Sequence, residues 1–460
     1  MRRMPGGGGK TPITPLDAWI RGRLGSEGTS EGKGDSSLRK RIAAHQLRML
    51  RETVRWAKSR SAFYRSRLTE EMEEGFETLE DIRKLPFTTA ADIERNYLDF
   101  PCVSQSEVER IVTLQTSATT GRPKRICFTR EDQELTVDFF HHGMSTLAGA
   151  GDRALILLPT GRSGGVSDLL VAGLERLGAV GIPHGLVNDP EETLQIMGLE
   201  RVSVIVGAPV QVLSLARHGG GRAAPRAILL SADYVPDAIV RELRRIWGAD
   251  VYNHYGMTET GFGGGVECAA HFGCHMRELD LYFEIVDPWT GEPVRDGEAG
   301  EIVFTTLNRR GMPLIRYRTG DLSRFLDAPC PCGTVLRSME RVRGRIGNRA
   351  TLGAGAVLAM ADLDEALFPV AGLIDFNVAV EDGRRGALLR IEVRMMDAGG
   401  DDALREVRDM LEGLPAIGAA RASGALEALL VSARRDDGPH LGGAAKRVIV
   451  DRRRSMGGPS

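Results

Sequence analysis

No apolar run of about 18 residues occurs in this chain, which excludes a transmembrane helix of ordinary length. The start, Met1-Arg2-Arg3-Met4-Pro5 and then four glycines, lacks the apolar core of a secretory signal. A dominant charge is also missing. The formal net charge is −2, so no global field draws the protein to nucleic acid or to an acidic membrane. The basic tail from Lys446 to Arg454 reads as a solvated end. A soluble, cytoplasmic protein without a membrane or nucleic-acid partner is the expectation. Lysine is scarce: after Lys124 the sole lysine is Lys446, while arginine is used everywhere else. A lysine kept against that background marks either a need for a compact ammonium or chance retention at the surface.

With 460 residues and 42% hydrophobic content, there is material for more than one domain with a real core. Residues 1–36 are rich in Gly, Ser and charge and read as disordered. Gly6 to Thr11 superficially suggests a P-loop, but the spacing fails and no strand precedes it. From Ser37 a helical period sets Ile42, Leu47, Leu50, Val54 and Trp56 on one broad face. Further on, strand-like runs at 154–158, 179–182, 202–206, 227–230 and 251–253 alternate with helix candidates near 166–177, 191–199, 208–217 and 236–247. Such alternation predicts βαβ units and a mainly parallel sheet. After residue 280 the pattern becomes β-rich. From Gly344 to Asn348 a hinge candidate leads into strands and helices of a small α+β domain. The predicted fold is therefore α/β. A large domain over 37–343 has mainly parallel βαβ sheets plus a β-rich subdomain, followed by a small C-terminal α+β lid over 344–460.

Three loops hold candidate chemistry. Thr116-Ser117-Ala118-Thr119-Thr120-Gly121-Arg122-Pro123-Lys124 crowds hydroxyls, a glycine and two cations before a strand-like run. That mixture suits a polyphosphate, although a polar surface turn uses the same residues. Tyr252-Asn253-His254-Tyr255-Gly256-Met257-Thr258-Glu259 follows the last parallel strand. It can stack a base, contact a phosphate and hold Mg²⁺, or be a strand-end turn with a solvated glutamate. Tyr317-Arg318-Thr319-Gly320-Asp321 sets a carboxylate after a tight turn, where it can accept two sugar hydroxyls or simply close a turn.

The six cysteines fall at 102, 127, 268, 274, 330 and 332. Cys102 and Cys127 stand alone and read as buried small hydrophobes. Cys268 and His275, followed by Cys330-Pro331-Cys332, supply three thiolates and an imidazole, the donor set of a closed structural Zn²⁺ site. Cys274 or His271 can replace His275 in that set, and unliganded thiols are the alternative.

Taken in order, these motifs resemble the AMP-forming adenylating superfamily of acyl-CoA synthetases, and within it the phenylacetate-CoA ligase branch. The resemblance runs from about Leu47 to Arg345 and also rests on Lys84 to Thr89, Gly300 to Leu307 and Met312 to Leu322. It implies that Thr116, Ser117, Thr119, Thr120, Gly121, Arg122 and Lys124 wrap the ATP phosphates. It further implies that Tyr255, within His254-Tyr255-Gly256, packs on adenine, that Thr258 reaches the α-phosphate, and that Glu259 holds Mg²⁺. Ser231-Ala232-Asp233 occupies the place of the family's adenine-side segment, and Asp321 binds ribose with Arg345 beside it. The implied reaction is adenylation of a carboxylic acid, then transfer of the acyl group to the thiol of coenzyme A. The small domain rotates between the two half-reactions. A zinc knuckle at the cysteine positions and a homodimer fit the same branch.

The chain departs from the family pattern in places. Ala118 stands where glycine is usual, Arg122 where lysine is usual, and Asn348 where aspartate is common. Aligned on Lys446-Arg447-Val448, the place of the adenylation lysine falls on Ala444; a two-residue shift would let Lys446 serve. Acyl specificity draws on the stretches near Phe139 to His142, Gly161 to Gly165 and Gly261 to Gly265, where Arg162 and Ser163 replace the usual aromatics, so phenylacetate is not carried over. Two other readings stand beside the ligase. One is an adenylating enzyme with a carrier-protein thiol or another acceptor. The other is a nucleotide-binding regulator that has lost adenylation.

Overall fold

The computed structural model describes residues 14–25, 35–114, 123–353, 355–397, 400–436 and 447–453. The chain forms two compact units, the first from 1–147, 257–319 and 324–340, the second from 148–256, 320–323 and 341–460. Among the described residues no helix is long and apolar enough to cross a membrane.

The first unit opens with helices α1 (Pro15–Leu24), α2 (Asp35–Arg60), α3 (Ala62–Arg65), α4 (Glu70–Glu74) and α5 (Ala90–Asn96). An antiparallel pair, β1 (Arg110–Leu114) and β2 (Lys124–Phe128), leads into α6 (Arg130–Met144). Helix α1 corrects the reading of 1–36 as disordered. Thr14 and Asp17 form a reciprocal capping box and Pro15 sits at the first helical position. Leu16, Trp19 and Ile20 are buried, and Trp19 Nε1 donates to Asp138 on α6 at 2.8 Å. Composition alone hid this, because the helix is flanked by glycine-rich chain.

In the second unit five parallel strands follow the order β4-β3-β5-β6-β7: β3 (Arg153–Leu157), β4 (Val180–Pro183), β5 (Val204–Gly207), β6 (Ala227–Leu230) and β7 (Asp250–Tyr255). Helices α7 (Val166–Arg176), α8 (Pro190–Leu199), α9 (Pro209–Gly219) and α10 (Asp237–Trp247) connect them. Strands β5 and β6 are buried along their whole length, as a sheet covered on both faces requires.

Back in the first unit, β8 (Gly265–Glu267), β9 (Cys274–Met276) and β13 (Ser338–Met339) pair antiparallel, and β10 (Leu281–Val286) pairs with β11 (Gly300–Thr306). Strand β12 (Tyr317–Ser323) passes from the first unit to the second at Gly320. Its far end pairs with β14 (Gly344–Arg345). The Tyr317 to Asp321 motif, read from the sequence as a tight turn, thus lies inside a strand. Gly320 has φ +73°, a left-handed kink that permits the Ile346 amide to reach its carbonyl at 2.8 Å.

The remainder of the second unit comprises β15 (Arg349–Gly353), β16 (Ala356–Ala359), α11 (Met360–Leu367), β17 (Leu373–Asp382), β18 (Ala387–Met395), α12 (Asp401–Glu412), α13 (Pro415–Ala422), β19 (Leu426–Arg435) and β20 (Ile449–Asp451). The last sheet has the order β19-β18-β17-β20. One apolar core joins Leu155, Ile205, Val212 and Ile228 to Leu363, Leu373, Val378 and Ile391, so residues 344–460 share a core with the parallel sheet layer. The α/β architecture read from the sequence is present.

Candidate functional site

In the first unit, Lys124 opens β2 and Glu259 sits in a 3₁₀ turn, Thr258–Thr260. Gly261 ends that turn at φ +74°, and its carbonyl accepts from Thr136 Oγ1 at 2.9 Å. Arg309 Nη1 donates to the Glu259 carbonyl at 2.7 Å, so the turn is braced from beneath. Lys124 Nζ forms an ion pair with Glu259 Oε1, which also accepts from Tyr317 Oη at 3.1 Å. Lys124 Nζ reaches Tyr317 Oη at 3.2 Å, closing a triangle. Burial alone pushes the Glu259 carboxyl up, but the Lys124 ammonium and the hydrogen bonds outweigh it and hold the group below its ordinary value. Glu259 is therefore an anion at neutral pH in a nearly dry site. A single carboxylate oxygen donor of this kind suits Mg²⁺, which takes one or two protein carboxylates and completes its shell with phosphate and water.

Thr258 is half-buried at the start of the same turn. Thr116, Ser117, Thr119, Thr120, Gly121 and Arg122 lie outside the described residues, as do Ala444 and Lys446. The two strands flanking 115–123 are paired to their ends, Leu114 opposite Lys124. Phe139 is packed against Gly263 so closely that a Cβ there would lie 2.3 Å from its ring.

In the second unit a cleft is lined by Ala232, Asp233, His254, Tyr255, Asp321 and Arg345, among others. Its walls follow from sheet register. Leu230 of β6 lies opposite Asn253 of β7, which brings Ser231 beside His254, with Ser231 Oγ 2.9 Å from His254 Nδ1. Burial pushes the His254 imidazole down to about 4, so it is neutral and adds no charge to the cleft. Ala232 takes φ +74°, a left-handed conformation unusual for a residue with a Cβ. Tyr255 Oη donates to Asp321 Oδ2 at 3.3 Å, and Arg345, opposite Asp321 across β12 and β14, forms an ion pair with Oδ1. The sequence-derived residues Ser231, Ala232, Asp233, His254, Tyr255, Gly256, Asp321 and Arg345 are thus gathered around one cleft.

The cysteine cluster belongs to the first unit. The ligand atoms of Cys268, His275, Cys330 and Cys332 all lie within 4.8 Å of one another. Cys268 Sγ and Cys330 Sγ are 3.6 Å apart, and Cys332 Sγ lies 3.4 Å from His275 Nε2. Zinc–sulfur bonds of about 2.3 Å in a tetrahedron separate sulfurs by about 3.8 Å, so these residues fit the ion. His275 Nδ1 lies 3.2 Å from Ser338 Oγ, a bond that orients the ring with Nε2 toward the thiols. Burial pushes the imidazole down to about 4, keeping it a neutral donor. Of the alternatives, His271 faces Glu267 at 3.4 Å, and neither it nor Cys274 joins the cluster. Cys102 and Cys127 are buried, as expected.

Sequence reasoning missed several contributors. Arg309, the Glu259 brace, sits in a run of three polar residues (308–310 reads Asn-Arg-Arg) that gave no reason to single it out. Tyr317 was visible in its motif, but its link to Glu259, 58 residues earlier, was not. Glu365 and Asp364 on α11 had no motif at all; Asp364 lines the cleft and pairs with Arg447.

Comparison with known proteins shows the family of the chain. Residues 57–308, more than half of the chain, match the AMP-binding enzyme family. A phenylacetate-coenzyme A ligase of Thermus thermophilus is 32% identical over 326 residues, spanning 67% of this chain and 71% of that protein. Another, from Escherichia coli, is 30% identical over 368 residues, spanning 77% and 82%. A crystal structure of 2-hydroxyisobutyryl-CoA ligase, in the postadenylation state with R3-HIB-AMP, superposes with a TM-score of 0.74 over 93% of this chain and 94% of that one. At 20% identity that likeness speaks for the fold. The chain belongs to the AMP-binding enzyme family of adenylating proteins. Within the family it falls in the phenylacetate-coenzyme A ligase-like branch.

Proposed function

We propose that this protein is an ATP-dependent, AMP-forming acid–thiol ligase that makes an acyl- or aryl-coenzyme A. The observation that carries this reading is the buried Lys124–Glu259–Tyr317 triangle, which fixes an anion in a dry site, with Lys124 and Glu259 inside the stretch that matches the family. A carboxylate oxygen of the acid attacks the α-phosphorus of ATP, pyrophosphate departs, and an acyl-AMP remains. The thiolate of coenzyme A then attacks the acyl carbon and AMP leaves. In this reading Thr116, Ser117, Thr119, Thr120, Gly121, Arg122 and Lys124 cradle the phosphates. Tyr255 packs on adenine beside Ser231, Ala232 and Asp233, Thr258 contacts the α-phosphate, and Asp321 with Arg345 takes the ribose. Glu259 holds Mg²⁺, which when bound offsets negative charge on the phosphates. Lys446 supplies the adenylation lysine from two residues beyond Ala444. These groups act by positioning and fixed electrostatics.

Cys268, His275, Cys330 and Cys332 hold a structural Zn²⁺ away from the chemistry. Residues 344–460 act as the small domain and Gly344–Asn348 as its hinge. Cytoplasmic location is part of this proposal, and homodimer assembly joins it by analogy with the branch.

ATP–pyrophosphate exchange over a panel of aryl and short acyl acids tests the proposal, with Lys446→Ala as control. Exchange that depends on one acid and collapses in the variant is expected. Exchange that survives Lys446→Ala removes the lysine assignment and spares the enzyme. No exchange with any acid, despite ATP binding, favours the regulator. Exchange without coenzyme A ester formation favours a carrier-protein acceptor.

A further inference from the structure

Helix α10 begins without a cap of its own. The residue before it is Pro236, which makes no side-chain capping bond, and the first amides of a helix need acceptors. The acceptor comes from α11, more than a hundred residues downstream. Glu365 Oε1 accepts from the Asp237 amide at 2.7 Å and from Tyr234 Oη at 2.8 Å, and Glu365 Oε2 accepts from the Ala238 amide at 3.1 Å. A carboxylate at a helix N-terminus is also favoured by the helix dipole. Burial and the neighbouring Glu365 carboxylate push the Tyr234 phenol up, so it stays a donor. Arg341 adds a bond to the Val235 carbonyl at 3.0 Å and an ion pair to Asp237.

These bonds fix more than a helix end. Tyr234 and Val235 line one wall of the cleft, and Met360, Ala361 and Asp364 of α11 line another. Asp364, next to Glu365, pairs with Arg447, whose amide lies 3.4 Å from Asp233 Oδ2 on the cleft wall. Asn348 grips the same segment at two points, donating to the Arg447 carbonyl at 2.7 Å and accepting from the Ile449 amide at 3.0 Å. With Glu365 engaged, Arg447, the residue that follows Lys446 in the chain, rests against the proposed adenine edge.

We propose that Glu365 is a positioning residue, a latch that holds α11 on the Tyr234–Ala238 wall and selects the arrangement used for adenylation over the one used for thioester formation. This rests on the ligase reading and its two half-reactions. The latch is required when acyl-AMP forms and dispensable when the thiol attacks.

Full-length Glu365→Ala and Glu365→Gln are compared with the native protein in two assays, ATP–pyrophosphate exchange and thioester formation from supplied acyl-AMP and coenzyme A. Glu365→Ala lowers exchange by about tenfold, the scale of a lost cap, and leaves the second half-reaction unchanged or faster. Glu365→Gln, which keeps an acceptor oxygen, recovers part of the loss. Equal loss in both half-reactions, or no loss in exchange, overturns the latch. Hydrogen exchange at the Asp237 and Ala238 amides gives a readout without turnover. Faster exchange in Glu365→Ala, with β5 and β6 still protected, supports it, and unchanged exchange overturns it. If the native protein shows no acid-dependent pyrophosphate exchange, the ligase reading fails, and the claim that the latch selects a half-reaction falls with it, whatever the amides report.

Discussion

Lys124 Nζ meets Glu259 Oε1 in an ion pair whose side chains are 15% and 2% exposed, and Tyr317 Oη donates to the same oxygen. Two strand-borne groups thereby hold one buried anion. Breaking such a pair from one side leaves an uncompensated buried charge, which costs about 3 kcal/mol or more. Lys124→Met is expected to destabilise the protein by about that amount in urea unfolding. Lys124→Met/Glu259→Gln is expected to regain part of the stability while pyrophosphate exchange stays lost. Recovery of exchange in the double variant would remove both residues from the chemistry.

The same pair sets an acid limb. The Glu259 carboxyl sits below its ordinary value in the folded protein because Lys124 and the hydrogen bonds outweigh burial. A depressed carboxyl contributes stability above the unfolded value, about 4.3, and that contribution is lost as pH falls through the folded value. Glu259→Gln is expected to flatten the acid side of the stability curve measured by urea melts between pH 6 and pH 3. An unchanged slope would show that other carboxyls govern acid unfolding.

Asp364 behaves in the opposite sense. Burial, with Asp233 and Asp375 nearby, pushes its carboxyl up to about 7 despite Arg447 beside it. One guanidinium faces three carboxylates, so one of them favours its protonated form. A raised carboxyl contributes stability that is complete below the ordinary value and disappears as pH rises through about 7. Stability is therefore expected to fall between pH 5 and pH 7.5, and Asp364→Asn to remove that fall. A fall that persists in the variant assigns it to another group.

The four zinc-fitting side chains predict a metal content. Cys268, His275, Cys330 and Cys332 are held within 4.8 Å of one another by β9, β13 and two turns, with His275 oriented by Ser338. Protein purified without chelator is expected to contain about one zinc per chain by elemental analysis. Cys268→Ser is expected to lose the metal and lower the melting temperature by several degrees while acid-dependent exchange persists. Metal-free protein with unreactive thiols and an unchanged melting temperature would make the cluster a buried thiol set.

Parts of this architecture were legible because they are local. The run Ala227–Leu230 is uniformly apolar and becomes a fully buried parallel strand. The His-Tyr-Gly-Met-Thr-Glu run is legible as a motif, although β7 extends through Asn253-His254-Tyr255 because aromatic side chains suit a half-buried pleat. The unreadable parts depend on partners far along the chain. Trp19 looked like debris in a glycine-rich tail until α6 supplied Asp138 and a packing surface. The turn at Gly320 was legible but not the strand that runs through it, and Glu365 looked like any acidic helix residue until α10 brought its uncapped end to it.

Asn348 shows how one substitution against the family pattern can be read physically. Its amide nitrogen donates to the Arg447 carbonyl at 2.7 Å while its oxygen accepts from the Ile449 amide at 3.0 Å. An aspartate at 348 keeps the acceptor but has no donor, and it sets a carboxylate against a carbonyl oxygen. Asn348→Asp is expected to weaken the grip on 447–449 by about 1 kcal/mol, the net worth of a typical hydrogen bond. The Ile449 amide should then exchange faster, and adenylation should slow by roughly fivefold, the rate equivalent of that energy. Asn348→Ser, which can serve one point at a time, should fall between the two. If Asn348→Asp leaves the Ile449 amide protected and exchange with pyrophosphate unchanged, the two-point grip does not position this strand, and the asparagine is a neutral replacement at the proposed hinge.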